Sequence, residues 1–308
     1  MRRFPNDKRF AFTVFDDTDL STVENIAPVY RFLSELGMRT TKSVWPLANA
    51  AGARIGGQAL DDADYLAFVL GLQRDGFEIA LHNVRNHDAP REIVRQGIES
   101  FQEILGHPPR TQCNHDTNRE NLYWGPTRIE SRWLRTAYNL ATRLQYRDFY
   151  QGHVENSEYF WGDLCRANIS YVRNFVFEEI NLDAINPTLP YHDPSKPFVN
   201  YWFSSSEGGS IDRFCKMLSE ANQDKLEEAG GVCIMYTHFA KGFVEGRSIH
   251  SGFARLMRRL SEREGWFVPV ADLLDHLRLT RVSSVIDIAE RVRMERRWFW
   301  SKLCNGTT

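Results

Sequence analysis

Two rhythms of apolar and polar positions alternate along the chain: short apolar runs, and longer stretches with apolar residues three and four apart. Residues 10–15 form a run with Phe10, Phe12, Val14 and Phe15, the mark of a strand covered on both faces, and it stops at Asp16-Asp17-Thr18-Asp19. Ser21 and Glu24 stand at capping-box spacing, which predicts a helix running to about Gly37. The same reading predicts strands over 40–45, 77–81 and 110–113, with helices over 61–74 and from Pro90 to just before Gly106. Over 123–206 the pattern loosens into an aromatic-rich segment without readable periodicity. Regularity returns with a helix over 210–229, a strand over 232–237, a helix over 250–264, a strand over 266–268 and a helix over 269–277. Strands and helices in alternation predict an α/β fold, as a parallel sheet or a barrel covered by helices, with a doubly wound sheet as the other solution.

Composition narrows the setting. The chain has 308 residues, 42% hydrophobic and 25% charged, the balance of a globular protein with one sizeable core. A formal net charge of -2 gives no global basic field, which sets nucleic-acid partners aside. Cys113, Cys165, Cys215, Cys233 and Cys304 are scattered, odd in number and without metal-site spacing, so a reduced, cytoplasmic protein is expected. Arg2 and Arg3 precede no apolar signal-peptide core, and no run approaches the roughly 18 to 20 apolar residues that span a bilayer.

Candidate chemistry gathers just after the strands. Asp16-Asp17 follow the first, His82 follows 77–81, Asn114-His115-Asp116 follow Cys113, and His238 follows 232–237. Parallel α/β folds bring such positions together over the carboxyl ends of the strands, so these clusters can face one pocket. Carboxylate with imidazole suits a divalent metal, most of all zinc, with Asp17 and His82 as first ligands. Such a metal acidifies a bound water, Asp16 is placed to accept its proton, and His238 to protonate a leaving group, which is acyl transfer to water. Each cluster also has a plain reading: aspartates after strands are turn formers and helix caps, and Asp19 in particular is expected to make only local hydrogen bonds.

The motifs resemble those of the polysaccharide deacetylases, carbohydrate esterase family 4. Phe15-Asp16-Asp17 is similar to the family's Phe-Asp-Asp, whose first Asp is the base and whose second binds metal. Gly76-Phe77-Glu78-Ile79-Ala80-Leu81-His82 resembles the strand that delivers a metal-binding His. The family's second His has Asn86 at its usual spacing here, which leaves His87 as the implied third ligand. Arg110 through Asp116 matches the third motif only loosely, and Arg110, Asn114 and His115 are expected to bind substrate. Residues 231–238 resemble the strand ending in the acid His, and 267–274 the closing strand and helix. The resemblance implies a distorted barrel of about seven parallel strands over 1–280, a zinc-like cofactor and deacetylation of an N-acetylated carbohydrate. Trp124, Trp161, Tyr201 and Trp202 are candidates to stack on sugar rings, although core packing explains each as well.

Residues 281–308 read as a helical tail capped by Ser284 or Asp287, with Arg291, Arg293, Arg296 and Arg297 beside Trp298-Phe299-Trp300. Packing on the barrel or on a second subunit explains the pattern, and so does peripheral contact with an anionic membrane. Two rival functions stand beside deacetylation. One is a degenerate barrel that binds a glycan without turnover. The other is a magnesium-dependent phosphatase of the haloacid-dehalogenase type, which the Asp-x-Asp in 14–19 faintly resembles.

Overall fold

A computed structural model describes residues 4–50, 55–246 and 248–306. The chain begins with β1 (Phe10–Asp16), α1 (Val23–Glu35), β2 (Thr41–Val44), α2 (Ala63–Arg74), β3 (Glu78–His82), α3 (Arg91–Leu105) and β4 (Thr111–Cys113). Then come α4 (Arg132–Ala141), α5 (Gly162–Asn168), β5 (Tyr171–Phe177), β6 (Tyr201–Glu207), α6 (Ile211–Met217), α7 (Glu220–Ala229) and β7 (Val232–Thr237). The rest comprises β8 (Val244–Glu245), β9 (Ser248–Ile249), α8 (Ser251–Ser261), β10 (Gly265–Trp266), α9 (Val270–Thr280) and α10 (Ile288–Asn305).

Strands β1 to β7 pair in parallel and in sequence order, and β7 pairs back on β1 from Ala11↔Val232 to Asp16↔Thr237, so the sheet closes into a seven-stranded barrel. Closure decides against the doubly wound sheet. The short β10 adds to the outer edge of β1 at Phe10 and Ala11. Every residue of β1 is buried, as a strand with side chains and helices on its two sides requires.

Local chemistry accounts for the helix ends. The cap of α1 is Thr22, not Ser21: its hydroxyl accepts from the Asn25 amide while the Asn25 side chain accepts from the Thr22 N–H. Ser21 turns inward and meets Lys42. The single helix expected over 210–229 is two helices, α6 and α7, separated at Leu218 and Ser219. Asp287 caps α10, which lies along α4 and β5, and of the aromatic triplet Trp298 and Phe299 are buried while Trp300 is 59% exposed.

The amino-terminal end of the barrel is closed by Glu78. Its buried carboxylate accepts from Thr41, Thr111 and the Ala271 N–H, tying β2, β4 and α9 together. His82 ends the same strand four residues on, so one side of β3 carries a structural carboxylate at the floor and an imidazole at the mouth. Among the described residues no helix is long and apolar enough to cross a membrane.

Candidate metal centre

Three aspartates leave the end of β1 in different directions. Asp16 points into the layer between strands and helices: its carboxylate pairs with Lys42 at 3.0 Å and accepts from the Tyr30 hydroxyl at 2.9 Å and the Phe239 N–H at 2.7 Å. Lys42 and Asp16 are both fully buried, and although burial works against the ammonium, Asp16 holds its pKa above the ordinary value. The expectation that Asp16 serves as base does not fit this placement: Oδ2 is held by Lys42 and Tyr30 and Oδ1 by the Phe239 N–H, on the helix side and away from the imidazoles at Asp19.

Asp17 faces the barrel mouth. Arg173, in the middle of β5, grips it with two parallel hydrogen bonds of 2.7 and 2.6 Å, and the Cys113 thiol approaches at 3.4 Å. Burial alone would raise the Asp17 pKa, but Arg173, with His82 and His238, brings it below the ordinary value. Asp17 is thus kept ionised and aimed by a guanidinium fork.

Asp19 is the centre of the cluster. Its Oδ1 lies 3.1 Å from His82 Nε2 and 3.4 Å from His115 Nε2, and its Oδ2 lies 3.1 Å from His238 Nε2. Desolvation opposes its charge, yet the surrounding imidazoles hold its carboxyl well below the ordinary range. The cluster opens to solvent on the carboxylate side: Asp19 keeps 11% of its side chain exposed, whereas His82 and His115 keep 1% each. Behind them the buried ring of Trp45 packs 5.8 Å from His82 and 5.6 Å from His115, excluding water from that flank.

The far nitrogens fix which atom each ring presents. His238 Nδ1 is 3.1 Å from the Gly209 carbonyl, which can only accept, so this nitrogen carries the hydrogen. His115 Nδ1 meets Asn118 Oδ1 at 3.0 Å, and the Asn118 amide nitrogen donates to the Arg85 and His87 carbonyls and to Glu120, which orients the amide. His82 Nδ1 meets the Cys113 thiol at 2.6 Å, and that thiol is pushed far up by burial beside Asp17. With Nδ1 engaged elsewhere, each ring presents Nε2 to the Asp19 carboxylate, the arrangement in which imidazole nitrogens and a carboxylate oxygen can share a cation. His115 Nε2 is buried and makes no hydrogen bond. Asp19, His82 and His115 offer ligand atoms within 4.8 Å of one another and therefore fit a divalent cation. A second trio, Asp17, His82 and Cys113, is equally compact. It is the poorer donor set, because Asp17 is already gripped by Arg173 and Cys113 stays protonated.

The other expected residues lie elsewhere. The ring of His87 contacts its neighbour Asn86 at 3.0 Å and is not among the imidazoles at Asp19, so the ring from the loop after β4, His115, takes the position expected of it. Arg110 precedes β4 at the closed end of the barrel and pairs with Asp272 and Asp275 of α9, far from a substrate-binding role at the mouth. Asn114 clamps its own loop, exchanging hydrogen bonds with the Leu122 backbone. Trp161 and Trp202 are 1% exposed and belong to the core.

No family model matches the chain, and no curated protein matches it by sequence. Solved structures do. A Mycobacterium smegmatis structure assigned to the polysaccharide deacetylases superposes with a TM-score of 0.54 at 11% identity, covering 93% of this chain and 96% of that one. Puue allantoinase gives a TM-score of 0.55 at 12% identity over 91% and 94%. A Pseudomonas aeruginosa PAO1 structure assigned to the polysaccharide deacetylases gives 0.53 at 12% over 90% and 94%. Along nearly its whole length, the chain has the fold of these deacetylase and allantoinase structures.

Proposed function

We propose that the protein is a metal-dependent hydrolase that removes an N-acyl group, acetyl above all, from a carbohydrate. The observation that carries this reading is the convergence of three imidazole Nε2 atoms on Asp19, beside a second carboxylate, Asp17, held ionised by Arg173. Asp19, His82 and His115 would hold the cation, and imidazole donors favour zinc over magnesium. When bound, such an ion acidifies a water and polarises an acyl carbonyl.

The chain's own groups then handle the protons. Asp17 accepts a proton from the attacking water at a carboxylate oxygen, and Arg173 keeps that carboxylate ionised and oriented until then. His238 donates from Nε2 to the departing nitrogen, and the Gly209 carbonyl fixes its ring for that transfer. A carbon–oxygen bond forms, the carbon–nitrogen bond breaks, and the products are a carboxylate and an amine. The phosphatase reading fits less well: Asp17 has both oxygens on Arg173, and three imidazoles have no part in a magnesium site.

Zinc titration of chelator-treated protein tests the site. Wild type takes up one ion per chain, Asp19→Ala and His115→Ala weaken uptake at least about a hundredfold, and His87→Ala leaves it intact. Absence of uptake in wild type, or equal loss in His87→Ala, overturns the assignment. Acetate release from N-acetylated sugars then tests the chemistry.

A further inference from the structure

One buried cation near the site has no part in that mechanism. Arg128 ends a short helical turn, Gly125–Arg128, after the β4 loop; it is 2% exposed, and its Nε and Nη2 meet no acceptor. Its guanidinium carbon lies 3.1 Å from the centre of the Trp124 ring and 5.2 Å from that of Trp298. Aromatic faces satisfy the flat sides of a guanidinium, but its N–H donors run in its plane, so stacking leaves them unmet. Burial brings the pKa of Arg128 down to about 9, against the pull of Tyr138, Tyr150 and Asp116, so the group stays charged near neutrality.

Its neighbours tie it to the metal centre. Trp124 donates through Nε1 to Asp116 Oδ1 at 3.3 Å, and the Tyr150 hydroxyl donates to the Asp116 carbonyl at 3.0 Å. Asp116 directly follows His115 and is exposed, so this wall opens toward solvent beside the imidazoles. Arg173, which grips Asp17, is near enough for its charge to act on Arg128. On the outer side Lys302 of α10 brings its ammonium 5.6 Å from the Trp298 ring. A charged fork with unmet donors, packed against two indole rings next to the proposed hydrolytic site, is suited to receive an acceptor-rich anion.

We propose that Arg128 anchors an anion subsite, so that the acylated sugar this protein binds carries a phosphate or carboxylate group. The words "acylated sugar" rest on the function proposed above; the anion subsite itself rests on Arg128 and its surroundings.

Binding to the full chain, measured by calorimetry without turnover, separates the two. The probes are N-acetylglucosamine, its 1-phosphate, and N-acetylmuramic acid, which carries a carboxylate. At least one anionic probe binds at least about tenfold more tightly than the neutral sugar, and raising salt from about 50 to about 500 mM erodes that advantage. Which anionic probe shows it identifies phosphate or carboxylate as the group. Inorganic phosphate competes with the anionic probe and leaves the neutral one undisturbed. Arg128→Gln removes the advantage without altering zinc uptake, and Arg128→Lys retains part of it. Equal binding of the three probes to wild type overturns the subsite, as does an Arg128→Gln loss that is the same for all. Wild-type selectivity and phosphate competition decide the matter if Arg128→Gln does not fold. Preference for the anion in a protein that takes up no zinc would sustain the subsite and sink the hydrolase.

Discussion

Asp16, Asp17 and Asp19 lie within four residues, yet one bonds a lysine, one an arginine and one a set of imidazoles. Alternation at the end of β1 turns Asp16 to the helices and Asp17 to the mouth, and the turn at Asp19 brings the third carboxylate over the mouth. Removing one partner of a buried ion pair leaves a charge without compensation, at a cost of about 3–5 kcal/mol, whereas replacing both with neutral groups costs far less. Asp16→Asn is therefore expected to lose stability of that order in urea unfolding while keeping zinc uptake. Asp16→Asn combined with Lys42→Met is expected to recover much of the loss. Retained stability in the single variant would show that the pair is not what fixes this corner. The sequence carried part of this site openly: the carboxylates and three of the imidazoles stand directly after strands. Asp19 stands in the turn past β1, where its reading as a turn former hid it and matching the tandem Asp-Asp as a motif obscured it further. Arg173 was not legible, because it interrupts a strand with a charge whose only justification is the carboxylate it meets across the barrel, 156 positions away in sequence.

The elements differ in how plainly their residues announce them. β1 and β7 are apolar runs and were read nearly to the residue, but β5 contains Arg173 and Asn174 and β6 contains three serines, all buried. Arg173 turns inward to Asp17, while Asn174 and Ser204 bond Tyr191 and Asn186, so hydrophobic periodicity fails where polar partners specify the strand. The loop after β4 shows the same priority. Glu120 is buried there and accepts from Asn83, Asn118 and the Ala89 N–H, and Asn118 in turn orients His115. Burial raises the Glu120 pKa from the ordinary 4.5 to about 7. Between those values the unfolded chain has released its proton and the folded chain retains it, so stability falls as pH rises through the window. The full effect is on the order of 3 kcal/mol, and in Glu120→Gln it is absent. Urea midpoints of the two proteins compared at pH 5 and pH 7 measure it. Parallel pH dependence in the two would mean that Glu120 is ionised throughout.

For the whole molecule, net charge conceals an uneven surface. The chain sums to -2, yet the outer face of α10 presents Arg293, Arg296, Trp300 and Leu303 at helical spacing. Along α4 run Arg132, Trp133 and Leu140, followed by Arg143 and Leu144, and Arg296 lies over the Trp133 ring at 5.6 Å, joining the two stripes into one face. Trp133 is 55%, Leu140 70% and Trp300 59% exposed. Exposed tryptophans beside arginines match the chemistry of helices that bind anionic lipid, where each basic residue contributes about 1 kcal/mol near the surface. The full chain is therefore expected to sediment with phosphatidylglycerol-containing vesicles and to stay in solution with phosphatidylcholine alone. Arg293→Glu with Arg296→Glu should abolish the binding, and Trp300→Ser should weaken it, both without change in zinc uptake. Equal partition on neutral and anionic vesicles would remove the electrostatic basis. A concentration-dependent dimer dispersed by the same substitutions would assign the face to a second copy of the chain. If vesicle binding holds, the membrane lies along the helix that also carries Trp298 and Lys302 beside Arg128, and an anionic sugar presented from that surface would enter the site from its charged side.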